Sequence, residues 1–232
     1  MTTKSEFWPQ TNSVGAKFFT KDNSFRSAGH KVSLVKLKQI HSSIVFSIDK
    51  APESEVLGQG DGMVTQLKNL ALVIQTADCI PLLANDGPVI GACHVGWRGL
   101  REGIVENWIS TLFLQGAIKT NLKLALGPHI KSCHFEVGED VAQQLTRIQG
   151  ASLSSDMIAK VKTCKNSEKS FINLQELVLL RLEMLGISRG QVFCVNECTF
   201  CQPKKYFSYR RDGPSSGRLE SVIWLNSESL NK

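Results

Sequence analysis

The stretch Leu70-Ala71-Leu72-Val73-Ile74-Gln75-Thr76-Ala77-Asp78-Cys79-Ile80-Pro81-Leu82-Leu83-Ala84-Asn85-Asp86-Gly87-Pro88-Val89-Ile90-Gly91-Ala92-Cys93-His94 decides the fold class. It holds three short apolar runs, 70–74, 80–84 and 89–93, the pattern of strands buried on both faces. Asn85-Asp86-Gly87-Pro88 is a turn signal that joins the second and third runs into a hairpin. The runs leave Asp78-Cys79 and His94 at strand ends, where a rigid scaffold presents reactive side chains.

Upstream, Val32, Leu34 and Val35 alternate with polar residues, and Ile44, Phe46 and Ile48 resume the alternation. This predicts two strands, or one bent strand, with His41 at the junction. Downstream, Ile104, Trp108, Ile109, Leu112 and Phe113 recur at helical spacing, which predicts a helix from about Gly99 to Gln115, closed near Gly116. Leu122, Leu124 and Leu126 predict a strand stopped by Gly127-Pro128. Asn173 with Glu176 resembles a capping box and opens a leucine-rich helix ending at Gly186. Val192–Val195 and Leu219–Leu225 read as further strands. Strands and helices do not alternate strictly, so the reading is an α+β architecture rather than a doubly wound sheet. Gly58, Gly60 and Gly62 lack the lysine and the strand–helix context of a phosphate loop.

No internal repeat and no long linker divides the 232 residues, so residues 31–232 are read as one domain behind a poorly patterned segment, 1–30. The 42% hydrophobic and 21% charged composition is that of a globular protein. The N-terminus lacks the apolar core of a secretory signal, and no run is long enough to span a membrane, which predicts a cytoplasmic protein. Seven cysteines, an odd number, fit a reducing compartment. The net charge of +6 is scattered apart from Lys204, Lys205, Arg210 and Arg211. It favours an anionic small substrate and gives no reason to expect nucleic acid or a membrane as partner.

Gln39-Ile40-His41, Thr76-Ala77-Asp78-Cys79 and Cys93-His94-Val95-Gly96-Trp97-Arg98-Gly99 concentrate the unusual chemistry. His41, Cys79 and His94 suit zinc, and three protein ligands leave a fourth position open. The same residues also suit a nucleophilic pair, Cys79 with His41 or His94 as base. Asp78 has three readings: orienting a metal-bound histidine, general base, or turn cap. Asp61, between Gly60 and Gly62, reads as a turn residue. Trp97 and Arg98 suit base stacking and anion binding, with Trp97 equally suited to the core. Arg210 and Arg211 offer planar forks for an oxyanion. Cys194, Cys198 and Cys201 form C-x3-C-x2-C, but no second ligand pair is evident, so these thiols, with Cys133, His134 and Cys164, read as structural.

The stretches GDGMVTQ (60–66), TADCIPLLANDG (76–87), ACHVGWRGL (92–100), LGPHIKSCHFEVGEDV (126–141) and YFSYRRDGPSSGR (206–218) resemble the YfiH family. That family has been labelled multicopper polyphenol oxidase or laccase, and peptidoglycan editing factor. The resemblance runs in order from about Gln39 to Arg218. It implies a layered α/β/β/α arrangement of mixed sheets, and one catalytic zinc per chain on His41, Cys79 and His94. It also implies phosphorolysis of adenosine, inosine, guanosine and methylthioadenosine, with adenosine deamination alongside, and it favours a catalytic role for at least one of Arg210 and Arg211; Asp78 joins them as a catalytic candidate on its place beside Cys79. The alternatives are a zinc amide hydrolase editing a cytoplasmic peptidoglycan precursor, and a non-catalytic metal-stabilised binding protein. The sequence does not define the oligomeric state. Two departures stand out. Only 40 residues precede His41, without the Arg-x-Gly-Gly loop and the helix with an Asn-Arg pair usual in the family, and His129 replaces the cysteine of the family's GPCI. Five histidines spread along the chain do not suffice for the imidazole-rich sites of a copper oxidase.

Overall fold

The computed structural model describes residues 14–26, 32–148 and 151–226. The strands in chain order begin with β1 (Val14–Phe18), β2 (Ser33–Lys38), β3 (Val45–Ile48), β4 (Val56–Gln59), β5 (Gly62–Thr65), β6 (Leu70–Thr76), β7 (Ile80–Asn85) and β8 (Ile90–Val95). They continue with β9 (Lys123–Leu126), β10 (Glu136–Gly138), the short pair β11 (Arg147–Ile148) and β12 (Ala151–Ser152), β13 (Lys162–Cys164), β14 (Lys169–Ile172), β15 (Val192–Cys194) and β16 (Leu219–Leu225). The helices are α1 (Trp97–Arg101), α2 (Ile104–Leu114), α3 (Glu139–Leu145), α4 (Ser155–Val161), α5 (Leu174–Met184) and α6 (Tyr209–Asp212).

Two mixed sheets carry the fold, one ordered β1-β16-β6-β2-β4 and the other β15-β9-β7-β8-β5-β3. The three apolar runs are β6, β7 and β8. The turn at 85–88 makes β7 and β8 an antiparallel hairpin in register from Ile80 opposite Val95 to Asn85 opposite Ile90. β6 crosses to the other sheet, between β16 and β2. The inner faces meet through Leu72, Ile74, Val35 and Ile223 on one side and Leu83, Ala92, Met63 and Ala125 on the other. Each of the leucine, isoleucine, valine and methionine side chains among them contributes roughly 1.5–3 kcal/mol by leaving water, and the two alanines less. The second face of the six-stranded sheet packs on α2 and α5 through Trp108, Leu112, Val178 and Leu182. Over the outer face of the five-stranded sheet, formed by Leu34, Ala71, Val73, Val222 and Trp224, lie Phe19, Phe25 and Val32. Mixed sheets flanked by helices agree with the α+β reading.

Three local readings change. Gly103, at φ +86°, breaks the expected single helix into α1 and α2, a left-handed conformation that suits glycine. His41 lies between strands of different sheets, so the two strands are separate elements. The segment 1–30 contributes β1, which pairs along its whole length with β16, while its residues 1–13 and 27–30 lie outside the described residues. At α5 the expected cap forms in part. Asn173 accepts from the Glu176 amide at 3.1 Å, but the Glu176 carboxylate pairs with Arg189 instead of reaching back.

Candidate active site

His41, Cys79 and His94 converge although they come from three segments: the loop after β2, the turn between β6 and β7, and the end of β8. Their three ligand atoms lie within 4.8 Å of one another. The Cys79 Sγ is 3.7 Å from His41 Nε2, and the two imidazoles meet edge to face with centroids 4.8 Å apart.

Each approach has a local cause. The Gln39 side chain donates to the Gln75 carbonyl at 2.7 Å and accepts from the Gln75 amide at 2.9 Å, which fastens the strand before His41 to β6. His41 itself has φ +61° and Asp78 φ +91°, left-handed backbone that non-glycine residues adopt at some strain. At Gly96 a Cβ would stand 2.5 Å from His41 Cδ2 and 3.3 Å from Cys79 Sγ, so glycine leaves the space the ring occupies. At Gly99 a Cβ would stand 2.7 Å from the Ser42 carbonyl, and glycine there lets α1 close on the His41 loop. The glycines of the Gly96-Trp97-Arg98-Gly99 motif are thus packing requirements of the site.

The sequence reading missed Asp61. It is fully buried rather than a turn residue. Its carboxylate accepts from the backbone amides of His41 at 3.0 Å and Ser42 at 2.6 Å and from the Ser42 hydroxyl at 2.7 Å. It also meets His94 Nδ1 at 2.7 Å, leaving Nε2 as the nitrogen free to face Cys79. Burial works against its charge, but the bonds from His94 and Ser42 prevail and bring the carboxyl down to about 2. For His94 burial disfavours the cation, while the Cys79 sulfur and Asp61 together raise the imidazole to about 9. Burial likewise opposes a Cys79 thiolate, and the two imidazoles outweigh it, bringing the thiol down to about 6. The sequence signals for Asp61 were its acidic side chain between two glycines and its place in the family-like stretch GDGMVTQ.

The site floors a cavity of about 790 Å³ whose walls include Gln75, Trp97, Arg98, Phe135, Tyr209, Arg210 and Arg218. Trp97 is half-buried at the wall, with the Arg98 guanidinium 4.5 Å over its ring. Asp78 does not touch the histidines in the way Asp61 does. Its carboxylate accepts from Thr199 Oγ1 at 2.6 Å, Ser208 Oγ at 3.0 Å and the Arg210 amide at 2.7 Å, and so fixes the start of α6. The two arginines part company. Arg210 lines the cavity and donates to the Glu136 carbonyl at 2.7 Å. Arg211 turns away and spends all five donors, on the carbonyls of Thr199, Phe200 and Tyr206 and on the Asp212 carboxylate.

Chemically, two imidazoles and a thiol around one point are a zinc donor set. A tetrahedral ion with ligand bonds of the usual length places sulfur and nitrogen about 3.5 Å apart, close to the spacing seen here. A thiolate–imidazole–carboxylate relay, Cys79–His94–Asp61, would be the other use. It gives no role to the His41 ring, which faces the same sulfur.

A family model described as multi-copper polyphenol oxidoreductase laccase matches residues 21–226. A protein of Haemophilus influenzae named purine nucleoside phosphorylase is 34% identical over 191 residues, 82% of this chain and 73% of its own. One of Escherichia coli, named purine nucleoside phosphorylase YfiH, is 30% identical over 193 residues, again 82% and 73%. Among solved structures, a Neisseria meningitidis protein is similar at a TM-score of 0.73 with 32% identity, covering 84% of this chain and 76% of its own. The Bacillus licheniformis hypothetical protein YfiH shares the fold at a TM-score of 0.82 with 23% identity, covering 92% and 93%.

Proposed function

From the premise that this chain belongs to the YfiH family, whose model carries the laccase description, we propose that it is a zinc-dependent purine nucleoside phosphorylase with adenosine deaminase activity. The observation that carries the reading is the convergence of His41, Cys79 and His94 on the floor of a cavity with arginines in its wall. The names of the relatives supply the purine nucleoside and the phosphate. Adenosine, inosine, guanosine and methylthioadenosine are the substrates, and residues 31–232 form the catalytic domain. The protein acts in the cytoplasm, a reading supported by seven free thiols. Among the described residues no helix is long and apolar enough to cross a membrane.

His41, Cys79 and His94 would hold the ion. Zinc with an open position supplies Lewis acidity toward a reacting oxygen. The chain's own residues do the rest. Asp61 fixes the His94 tautomer and, through the His41 amide, the loop that carries the other imidazole. Arg210, with Arg98 and Arg218 in the same wall, binds phosphate as a planar donor. Trp97 and Tyr209 line the space for the flat base. Asp78 acts by positioning, holding α6 and Arg210 in place. In phosphorolysis a phosphate oxygen bonds the ribose anomeric carbon as the bond to the base nitrogen breaks, giving ribose 1-phosphate and free base. In deamination water replaces the amine of adenosine, giving inosine and ammonia. Copper oxidase chemistry has less support, because of the four described histidines only His41 and His94 share a site.

The test is a nucleoside panel with and without phosphate, beside a muropeptide precursor, read by mass spectrometry. Adenine and ribose 1-phosphate should form only with phosphate, and inosine without it. No turnover of any nucleoside by zinc-loaded protein would reject the purine reading. Release of an amino acid from the precursor would then support the amide hydrolase.

A further inference from the structure

Separate from the catalytic trio, Cys133, His134, Cys198 and Cys201 bring four ligand atoms within 4.8 Å of one another. The geometry points to a second metal site, a closed structural zinc site of three thiolates and one imidazole. The fold supplies the second ligand pair that the sequence did not reveal. Cys133-His134 sits in the turn between β9 and β10. Cys198-x2-Cys201 sits in the loop after β15. A parallel bridge of His129 with Cys198 and the Thr199 amide bond to the His129 carbonyl at 3.1 Å hold the two segments side by side.

The spacings are those of a single tetrahedral ion. Cys133 Sγ lies 3.8 Å from Cys198 Sγ and 3.7 Å from Cys201 Sγ. Four ligands with zinc–sulfur bonds of about 2.3 Å place sulfurs about 3.8 Å apart. His134 Nδ1 is 3.2 Å from Cys133 Sγ and 3.3 Å from Cys201 Sγ, somewhat inside the roughly 3.5 Å expected for sulfur and nitrogen. A disulfide would need about 2.05 Å, and all seven cysteines are free. Packing does not account for the cluster, since Cys133 and Cys201 are exposed and hide little apolar surface there. The imidazole is oriented independently by Phe200, whose ring stacks on it at 4.1 Å between centroids. The Lys131 amide donates to Cys198 Sγ at 3.4 Å, the kind of outer bond that supports a ligating sulfur.

Four protein ligands leave no open position, so this ion staples rather than catalyses. What it staples is the wall of the active site. Thr199, between the two loop ligands, donates to Asp78, and the Thr199 and Phe200 carbonyls receive Arg211. The second ion therefore holds the loop against which Asp78 and α6 are set.

The test uses the full chain purified under reducing conditions, with zinc measured per chain by mass spectrometry of the metal. Wild type should carry about two zinc ions. Cys79→Ala should keep one, and X-ray absorption of that variant should give three sulfurs and one nitrogen around zinc. Cys133→Ser with Cys201→Ser should keep only the other ion and melt at lower temperature. If that variant fails to fold, the spectrum of Cys79→Ala decides. A zinc-free Cys79→Ala that binds no added zinc overturns the proposal, as does an iron–sulfur absorption spectrum or a Cys133–Cys201 disulfide in protein alkylated on isolation. Because the two sites lose their ions to different variants, failure here leaves the catalytic trio standing, and the reverse.

Discussion

Asp61 Oδ1 meets His94 Nδ1 at 2.7 Å in a fully buried pair, and the same oxygen receives the His41 amide at 3.0 Å. One carboxylate therefore sets two of the three donors, one through its ring and the other through its backbone. Removing a partner of this kind weakens metal binding about 10–100-fold. Asp61→Asn should raise the zinc dissociation constant of the catalytic site by that factor, measured by chelator competition. Unchanged affinity would mean that the backbone alone orients His94.

Cys79→Ala removes the donor that both imidazoles face. One zinc ion per chain should be lost, together with nucleoside turnover, while the second ion stays. Retention of every zinc ion would show that the trio is not a metal site.

Arg210 and Arg211 should separate by readout. Arg210→Lys keeps a charge in the cavity but loses the planar fork, and phosphate KM should rise several-fold with little change in melting temperature. Arg211→Lys strips carbonyl oxygens of Thr199, Phe200 and Tyr206 of their donor, and should lower the melting temperature by several degrees. Equal kinetics and equal stability in both variants would reduce the pair to surface charge.

Arg181 is 2% exposed and forks Nη1 onto both Glu106 oxygens, at 2.9 and 3.1 Å, between α5 and α2. Glu106→Leu leaves the buried guanidinium uncompensated and should cost about 3–5 kcal/mol in denaturant titrations. Glu106→Leu combined with Arg181→Met should recover much of that loss.

His129 donates Nδ1 to the Gly127 carbonyl at 2.8 Å, while its Nε2 is buried without a partner among the described residues. Burial, then the nearby Lys131 charge, push the imidazole down to about 3. The unfolded chain therefore takes up a proton near pH 6.5 that the folded chain refuses, so stability is full above that pH and falls as pH drops toward 3. At pH 5 the loss due to this residue is about 2 kcal/mol. His129→Cys, the residue that the family motif carries here, should flatten the acid limb by that amount. An unchanged limb would place the acid sensitivity elsewhere.

Much of this protein was legible in one dimension. The apolar runs at 70–74, 80–84 and 89–93 and the turn at 85–88 were enough for β6 and the β7–β8 hairpin, because continuous burial and turn chemistry are local properties. The motifs around His41, Cys79 and His94 were readable for a similar reason: unusual residues stood where strands end. What only the tertiary structure decided depends on long-range approach. Asp61 looks like a turn residue until β5 is paired with β8 and the carboxylate falls under His94. Arg210 and Arg211 are neighbours in sequence, yet the short turn of α6 sends one into the cavity and the other into a cage of carbonyls. Cys133-His134 and Cys198-x2-Cys201 are each unremarkable half-sites, separated by more than sixty residues. They meet because β9 and β15 pair in parallel and deliver their following loops to the same end of the sheet. Spacing along a chain cannot encode such a meeting; the register of a sheet does.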